Sequence, residues 1–439
     1  MHANFFTSKE ILPFYILFAM IIAIIIINYF RGPKEFWSPL TIIAIIYGYY
    51  CLIGPYEAVT TGATMDRLQD MRRFYPSALW GALVSLIAYA IGFFFHGKGN
   101  RSRKLEPRFS IEVLNDYGKK IFIAGFILFS LSRGGNITGL VNPLDAEYVE
   151  RTGGSFSNYL SLSLNFLIPG ITMLFLYFMV TKKGLWWFVI PLLLALGIFT
   201  TLGFRYRIVL LLGSMATVYY LIKGKRPNLI LASVGIIALI AVMGIIGKSR
   251  QYGRGLNVKR LEGVTTESAY QSGLQEAMIF QTSGAVIDMV PSRHPYAGFQ
   301  PIISTLLFPI PSSLLEGKNS ADYLFDMMDA IYSKKYSEGA AIMAYGEYYL
   351  AFGWAGIILG CAIIGWFLRK LWNWFLANSN NPLVMAAYAV SVIYLYVAIS
   401  RGYLPQVTNL FFFTVFPIYV VLRVVRKKYN NVARSWKSA

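Results

Sequence analysis

The sequence predicts an all-α polytopic membrane protein with eleven transmembrane helices, or twelve if one span is missed. Only 14% of the 439 residues are charged, against about 25% in soluble domains. The hydrophobic residues, 56% of the chain, are gathered into long blocks. Connections with a large positive net charge alternate from block to block with connections that are nearly neutral overall. This composition suits a chain whose main solvent is lipid.

The apolar blocks define the predicted spans, because a helix needs about 20 mostly apolar residues to cross a bilayer. The first block has no basic segment before it and no cleavage site after it, so we expect a retained helix. The whole chain, 1–439, is predicted to be one integral membrane domain with a large loop over 248–341 that contains short helices. The blocks cover residues 11–30, 38–54, 77–96, 119–132, 158–181, 185–203, 205–222, 228–247, 342–367, 383–400 and 405–423.

The Lys and Arg residues predict the orientation, since cytoplasmic connections carry an excess of them. One alternating set of connections holds 22 of the 40 basic residues and 4 of the 21 acidic ones. We expect this set in the cytoplasm, with the N-terminus and the 248–341 loop outside and the C-terminus inside. Topology and anionic lipid then explain the net charge of +19, and no nucleic-acid partner is expected.

Arginines at predicted outward helix ends are not explained by topology. Arg133 and Arg401 each follow an apolar block directly, and Arg205 and Arg207 lie between two blocks. A charge at membrane depth costs about 3 kcal/mol and marks a functional site, although snorkelling to the headgroups is an alternative. Two cations two residues apart repel each other, and a shared anion relieves that repulsion. Guanidinium binds phosphate bidentately, so a lipid-linked phosphate or diphosphate is the expected ligand.

Further candidates lie in the predicted outward loop and at the start of the ninth span. His294 is the outward one of three histidines, and an imidazole titrates near neutral pH, as a general base should. Residues 302–311 are too short to span and end in two prolines, so we expect an interfacial or re-entrant segment. The other candidates are the cations Arg250, Arg254, Arg293 and Lys318, the aromatic Tyr296, and the acids Glu338 and Glu347.

Several kinds of site are absent from the sequence. The two cysteines, Cys51 and Cys361, exclude a disulfide framework, and no Walker A, HExxH or GxSxG motif occurs. His, Asp and Glu do not cluster at metal-ligand spacing. We therefore expect neither a metal nor a cofactor, and the energy of any reaction must come from the substrate or the membrane gradient.

Four local segments, together with the overall layout, carry a family resemblance. They are Gly203-Phe204-Arg205-Tyr206-Arg207, His294-Pro295-Tyr296 followed by Gly298, Phe308-Pro309-Ile310-Pro311 followed by Lys318, and Glu347-Tyr348-Tyr349 running to Gly356. The chain resembles the bacterial O-antigen polymerases of the Wzy type and related oligosaccharide repeat-unit polymerases. The resemblance implies a GT-C-like, metal-independent membrane glycosyltransferase. Such an enzyme joins undecaprenyl-diphosphate-linked oligosaccharides into O-antigen, capsule or exopolysaccharide on the outer face of the bacterial plasma (inner) membrane.

The resemblance also implies roles and partners. Its partners are the undecaprenyl-diphosphate-linked oligosaccharide, membrane lipid and a chain-length regulator protein. A ligase-type transferase of lipid-linked glycans, or a transporter or flippase, remains an alternative. A transporter should show two related halves with charges near the midplane, which this sequence lacks. The residue expected to activate the acceptor sugar's hydroxyl is His294, Glu338 or Glu347. The residues expected to bind diphosphate or glycan are Arg133, Arg205, Arg207, Arg250, Arg254, Arg293, Tyr296, Lys318 and Arg401.

Overall fold

The described part of the chain is almost entirely helical. This computed structural model describes residues 8–53, 65–66, 69–95, 109–133, 159–203, 205–251, 255–256, 265, 272, 277, 279–310, 323–332 and 341–438. The α-helices are α1 (Ser8–Arg31), α2 (Pro33–Phe36), α3 (Pro39–Tyr47), α4 (Tyr75–Phe94), α5 (Glu112–Ser132), α6 (Leu167–Thr181), α7 (Leu185–Thr201), α8 (Arg205–Lys223), α9 (Leu229–Ser249), α10 (Ile279–Met289), α11 (Gln300–Leu307), α12 (Tyr323–Tyr332), α13 (Ala344–Ala377), α14 (Pro382–Ile393), α15 (Leu395–Ser400), α16 (Leu404–Thr414) and α17 (Phe416–Ser438).

Short irregular pieces complete the described structure. A π-helix, Gly48–Ile53, continues α3, and 3₁₀ turns at Arg72–Phe74 and Ser163–Phe166 lead into α4 and α6. Two small antiparallel pairings join β1 (Met65–Asp66) to β2 (Gln69–Asp70) and β3 (Arg250–Gln251) to β4 (Gly255–Leu256).

In the described part of the chain, seven helices are long and apolar enough to cross a membrane, or eight if the bent pair α16–α17 is one span. This confirms the all-helical, multi-pass membrane class. Each of the eleven predicted blocks contains a helix. Two of them are short, because the segment Pro39–Ile53 and helix α7 reach only about 22–26 Å at ~1.5 Å per residue. The hydrocarbon core of a bilayer is ~30 Å thick. Helix α5 carries Asp116, Lys119 and Lys120 in its first half. The count of eleven spans therefore stays a prediction.

The chain divides into two compact units, each assembled from separate stretches. The first comprises Met1–Asn100, Tyr270–Lys370 and Leu395–Asn409. Within it, glycines bring α4 and α13 close together. A Cβ added at Gly92 would lie 2.7 Å from the carbonyl carbon of Ala362, and one added at Gly365 would lie 3.0 Å from the amide nitrogen of Phe93. Small residues permit this close packing of apolar helices.

Helix α13 is broken near its start, and the loop that follows α10 is hydrogen-bonded to the helix at this break. Phe352 (φ −141°, ψ 22°) and Gly353 (φ 63°, ψ −148°) leave the helical conformation, and the Gly353 angles belong to a region open essentially only to glycine. The carbonyl groups of Leu350 and Ala351 accept hydrogen bonds from the amides of Ala297 and Gly298, at 2.8 Å and 3.1 Å. The loop after α10 is thereby fixed to α13.

The second unit comprises Arg101–Ala269, Leu371–Tyr394 and Leu410–Ala439. Helices α5 and α6 pack closely at glycines: a Cβ added at Gly118 would lie 3.1 Å from the Gly170 carbonyl oxygen. One added at Gly125 would lie 2.9 Å from the Ser163 carbonyl oxygen in the 3₁₀ turn that precedes α6. This packing sets the start of α6 against the middle of α5, and α5 ends at Ser132, directly before the candidate Arg133.

Candidate functional site

Arg205 and Arg207 enter the second unit at the first turn of α8. Gly203 takes a left-handed φ of 70° just after α7 ends, and its amide donates to the Thr200 carbonyl at 3.0 Å. Glycine meets this conformation without steric cost. The chain therefore reverses within a few residues, and both arginines lie at a helix end, as the sequence predicts.

Arg207 is buried, with 3% of its surface exposed. Its Nε donates to Oδ1 of Asn165 at 3.0 Å. Asn165 is fully buried and donates from Nδ2 to the Leu162 carbonyl at 2.9 Å. That second bond fixes which way the amide points, so the oxygen faces Arg207. The Arg207 guanidinium also lies 5.3 Å from the ring centre of Tyr206 and 6.0 Å from that of Phe199.

Arg205 extends to a different neighbour, the last part of α9. A Cβ added at Gly247 would collide with Nη2 of Arg205 and lie 2.7 Å from its Cζ. The guanidinium thus occupies the space that a larger residue at 247 would fill. The two arginines of this turn therefore point to separate anchors, one on the turn before α6 and one on α9.

Arg133 caps the C-terminal end of α5 and is also buried, with 7% exposed. Its Cζ lies 5.5 Å from the ring centre of Phe129. The positive charges of Arg133 and Arg207 are close enough to repel each other. A cation at this position is favoured by the partial negative charge at a helix C-terminus. We refer to Arg133, Arg205 and Arg207 as the arginine cluster. Guanidinium groups that lie near one another can hold an anion with several oxygens, as phosphate has.

Glu347 lies in the first turn of α13 in the first unit and is 2% exposed. Its Oε1 accepts from the Leu404 amide at 2.8 Å and from the Tyr323 hydroxyl. Leu404 is the first residue of α16, so the carboxylate caps that helix and meets its positive end. Glu347 ties α12, α13 and α16 together, and this structural task accounts for its burial.

Arg401 lies beside this junction, directly after α15 ends at Ser400, as the sequence predicts. Its amide donates to the Val397 carbonyl at 3.1 Å, and the next amide, of Gly402, donates to the Ile342 carbonyl at 2.7 Å. Its side chain is partly exposed. Arg401 therefore lies three residues before Leu404, whose amide donates to Glu347.

His294 and Tyr296 belong to the loop that is fixed to the α13 break. His294 Nδ1 lies 2.8 Å from the Pro295 carbonyl oxygen. A carbonyl only accepts hydrogen bonds, so in this arrangement Nδ1 carries the hydrogen and Nε2 is left to accept a proton. Tyr296 lies beside Gly353 and 6.4 Å from Tyr349, ring centre to ring centre. Arg293, in the same turn, is exposed.

The remaining candidates fall outside what the structure describes. This holds for Arg254, Lys318 and Glu338, and for the side chain of Arg250 in β3. Within the described ranges, no group of three or more His, Cys, Asp or Glu residues is placed to hold a metal ion.

Sequence reasoning missed the residues that orient the candidates. Asn165 had one available signal, an amide inside an apolar block, where a buried polar group needs a partner. Gly247 and Tyr323 had none, because their partners Arg205 and Glu347 are distant in sequence and only the fold brings them together.

Comparison with known proteins adds a family to this geometry. No curated protein and no solved structure matches the chain. The family model described as O-antigen polysaccharide polymerase Wzy matches residues 2–431, nearly the whole chain. The chain therefore belongs to the O-antigen polysaccharide polymerase Wzy family.

Proposed function

We propose that the protein polymerises undecaprenyl-diphosphate-linked oligosaccharide repeat units into a surface polysaccharide on the outer face of the bacterial plasma membrane. The observation that carries this proposal is the arginine cluster. Two of its three side chains are buried, and they come from the end of one helix and the start of another. In an apolar surrounding, such a cluster favours a multiply charged ligand over a neutral sugar.

The chemistry needs cations at the leaving group. The acceptor hydroxyl attacks C1 of the donor sugar, a new C1–O bond forms, and the bond from C1 to the diphosphate oxygen breaks. Undecaprenyl diphosphate leaves with the electron pair, while the hydroxyl proton passes to a base. Guanidinium groups that are already in position stabilise the negative charge that develops on the leaving diphosphate. We propose that Arg133, Arg205 and Arg207 do this without a metal ion.

Activation of the acceptor is proposed for a residue of the 248–347 region. His294 is supported by the free Nε2 that its hydrogen bond to Pro295 leaves. Glu347 is the weaker candidate, because its Oε1 already accepts two hydrogen bonds. Glu338 stays a prediction from the sequence alone. Arg250, Arg254, Arg293, Lys318, Arg401 and Tyr296 stay proposed contacts to diphosphate or glycan.

We also propose the finer architecture that the sequence predicts. The chain would cross the membrane eleven times, with Pro39–Ile53, α5 and α7 as the short or charged crossings, in a GT-C-like arrangement. Short spans are tolerated where the bilayer thins or where flanking residues reach the interface. The N-terminus and the 248–341 loop would then face outward and the C-terminus would face the cytoplasm.

Polysaccharide analysis in the native host tests the proposed activity. A strain that carries Arg205→Ala or Arg207→Ala, with the protein still inserted at wild-type level, should make single capped repeat units and no ladder of longer chains. A lipid-linked polymer that is made but not attached would instead indicate a ligase. Wild-type chain lengths in both variants would contradict the role of the arginines.

Treatment with a chelator is the second test, and it asks only whether polymerisation requires a metal ion. Purified protein in proteoliposomes should polymerise its lipid-linked substrate at an unchanged rate after treatment with a strong chelator. A loss of activity that added Mg²⁺ or Mn²⁺ restores would overturn the proposal that guanidinium groups suffice.

A further inference from the structure

Helix α11 has its apolar side turned outward. Phe299, which precedes it, and Ile302, Ile303 and Leu306 are exposed, with Leu306 at 72%. These positions follow the spacing of one helix face. Pro301 is buried, and the small polar residues Ser304 and Thr305 are less exposed than the aliphatic ones. In water a surface helix has the opposite arrangement, so this face needs an apolar cover.

The exposed face of α11 continues onto a surface that already suits lipid. The ring centres of Phe299 and Phe352 lie 5.0 Å apart, and Phe352 is itself exposed. Beyond it, α13 is a candidate membrane span whose exposed side chains include Leu359, Ile363 and Phe367. These recur every four residues, as they do on the lipid-facing side of a helix. One apolar strip therefore runs from α13 onto α11.

We infer that α11 is an interfacial helix that docks into the membrane leaflet at the start of α13. With eight residues it is about 12 Å long, too short to cross a bilayer. The interface accepts such a helix because its apolar side can enter the acyl boundary while the other side stays with protein and water. Lipid, rather than a protein partner, is the occupant because the face joins the lipid-facing strip of α13.

This docking has a consequence for the loop that bears His294. The loop is bonded to α13 through Ala297 and Gly298, and α11 begins at Gln300. The loop is thus held on one side by the break in a membrane helix and on the other by a helix in the leaflet. His294 is fixed at the membrane surface, the level at which the diphosphate of a membrane-anchored lipid lies.

Depth-dependent fluorescence quenching tests this inference independently of enzymatic activity. A single cysteine replaces Leu306 or Ile303 in the full-length protein and is labelled with an environment-sensitive fluorescent probe. The labelled protein is reconstituted in lipids that carry a quencher either near the headgroup or deep in the acyl chain. The native Cys51 and Cys361 are buried and give little background. Leu306→Cys should be quenched at least 3-fold more by the shallow quencher than by the deep one.

Three control positions make the result readable. Ser304→Cys lies on the less exposed side of α11 and should be quenched less than Leu306→Cys. Leu359→Cys on α13 should respond most to the deep quencher, and Lys225→Cys, exposed between α8 and α9, should respond to neither. Quenching of Leu306→Cys as weak as that of Lys225→Cys would overturn the inference and point to a protein segment, or a second copy of the chain, as the cover.

Discussion

At the residue scale, one buried amide orients a central member of the arginine cluster. Asn165 accepts from Arg207 Nε and is itself held by its bond to the Leu162 carbonyl. The guanidinium of Arg207 is therefore in position before any ligand arrives. Preorganised donors are worth more than mobile ones because they do not reorganise when charge develops.

Substitution of Asn165 separates an orienting role from a merely structural one. Asn165→Ala should weaken binding of the diphosphate donor about 10-fold, since a hydrogen bond to a charged group contributes roughly 1.5–3 kcal/mol. Asn165→Asp has the same shape but would pair with Arg207 and neutralise it, so the KM for donor should rise further. The measurement is initial polymerisation rate against donor concentration in proteoliposomes. An aspartate variant with the wild-type KM would contradict the role.

His294 gives a second prediction at this scale. His294→Asn keeps an N–H close to the position of Nδ1 and can preserve the bond to the Pro295 carbonyl, but it removes the proton acceptor. Polymerisation should fall by roughly 10²-fold or more if the imidazole is the general base, while expression and membrane insertion stay normal. Ser292→Ala, in the same turn, is the control and should be neutral. An active His294→Asn protein would move the role to Glu338 or Glu347.

At the scale of elements, the start of α8 and the end of α9 together determine where the Arg205 side chain lies. The guanidinium of Arg205 fills the space beside Gly247 at the end of α9. A methyl group there must displace the guanidinium or separate the two helices. A glycine elsewhere in the same helix carries no such constraint, and Gly235 has nothing within 4 Å of an added Cβ.

The paired substitutions Gly247→Ala and Gly235→Ala follow from this contrast. Both exchange glycine for the better helix former, which favours the helix by about 1 kcal/mol. Gly235→Ala should keep full activity and gain slightly in thermal stability. Gly247→Ala should lose most polymerisation at equal expression, as seen on a polysaccharide gel. Equal activity of the two variants would show that the position of Arg205 does not matter.

Sequence patterns could predict helices but not their interruptions. Long apolar blocks located a helix at every predicted span, and Arg133, Arg205 and Arg401 were correctly predicted at helix ends. The break at Phe352 and Gly353 was missed, because an isolated glycine in an apolar block is tolerated in a helix and often serves only packing. What reveals the break is its bonding to Ala297 and Gly298, which depends on the tertiary fold.

At the scale of the whole molecule, the protein is a multi-pass membrane protein of a glycosyltransferase-type polymerase family. The property that most needs measurement is the number of times the chain crosses the membrane. Helix α7, with 17 residues, is short for a crossing, and α5 carries charged residues. Both helices nevertheless lie between one connection of the predicted cytoplasmic set and one connection of the predicted outward set. The positive-inside rule therefore predicts that both cross.

Cysteine accessibility decides whether α7 crosses. In intact cells, a membrane-impermeant thiol reagent should label Ser292→Cys and leave Lys183→Cys and Lys225→Cys unlabelled until the membrane is permeabilised. Leu202→Cys, at the other end of α7 from Lys183, should be labelled from outside. Protection of both Leu202→Cys and Lys183→Cys in intact cells would mean that α7 does not cross, and the count of eleven spans would be wrong.

Direct binding of a lipid diphosphate tests the central claim, that the arginine cluster holds the donor diphosphate. The probe is farnesyl diphosphate, titrated against the purified full-length protein at two salt concentrations. Arg207→Lys keeps the charge but loses the planar fork, so its Kd should rise about 10-fold or more, whereas Arg226→Lys beyond the far end of α8 should bind like wild type. An unchanged Kd in Arg207→Lys and in Arg207→Ala would contradict the claim.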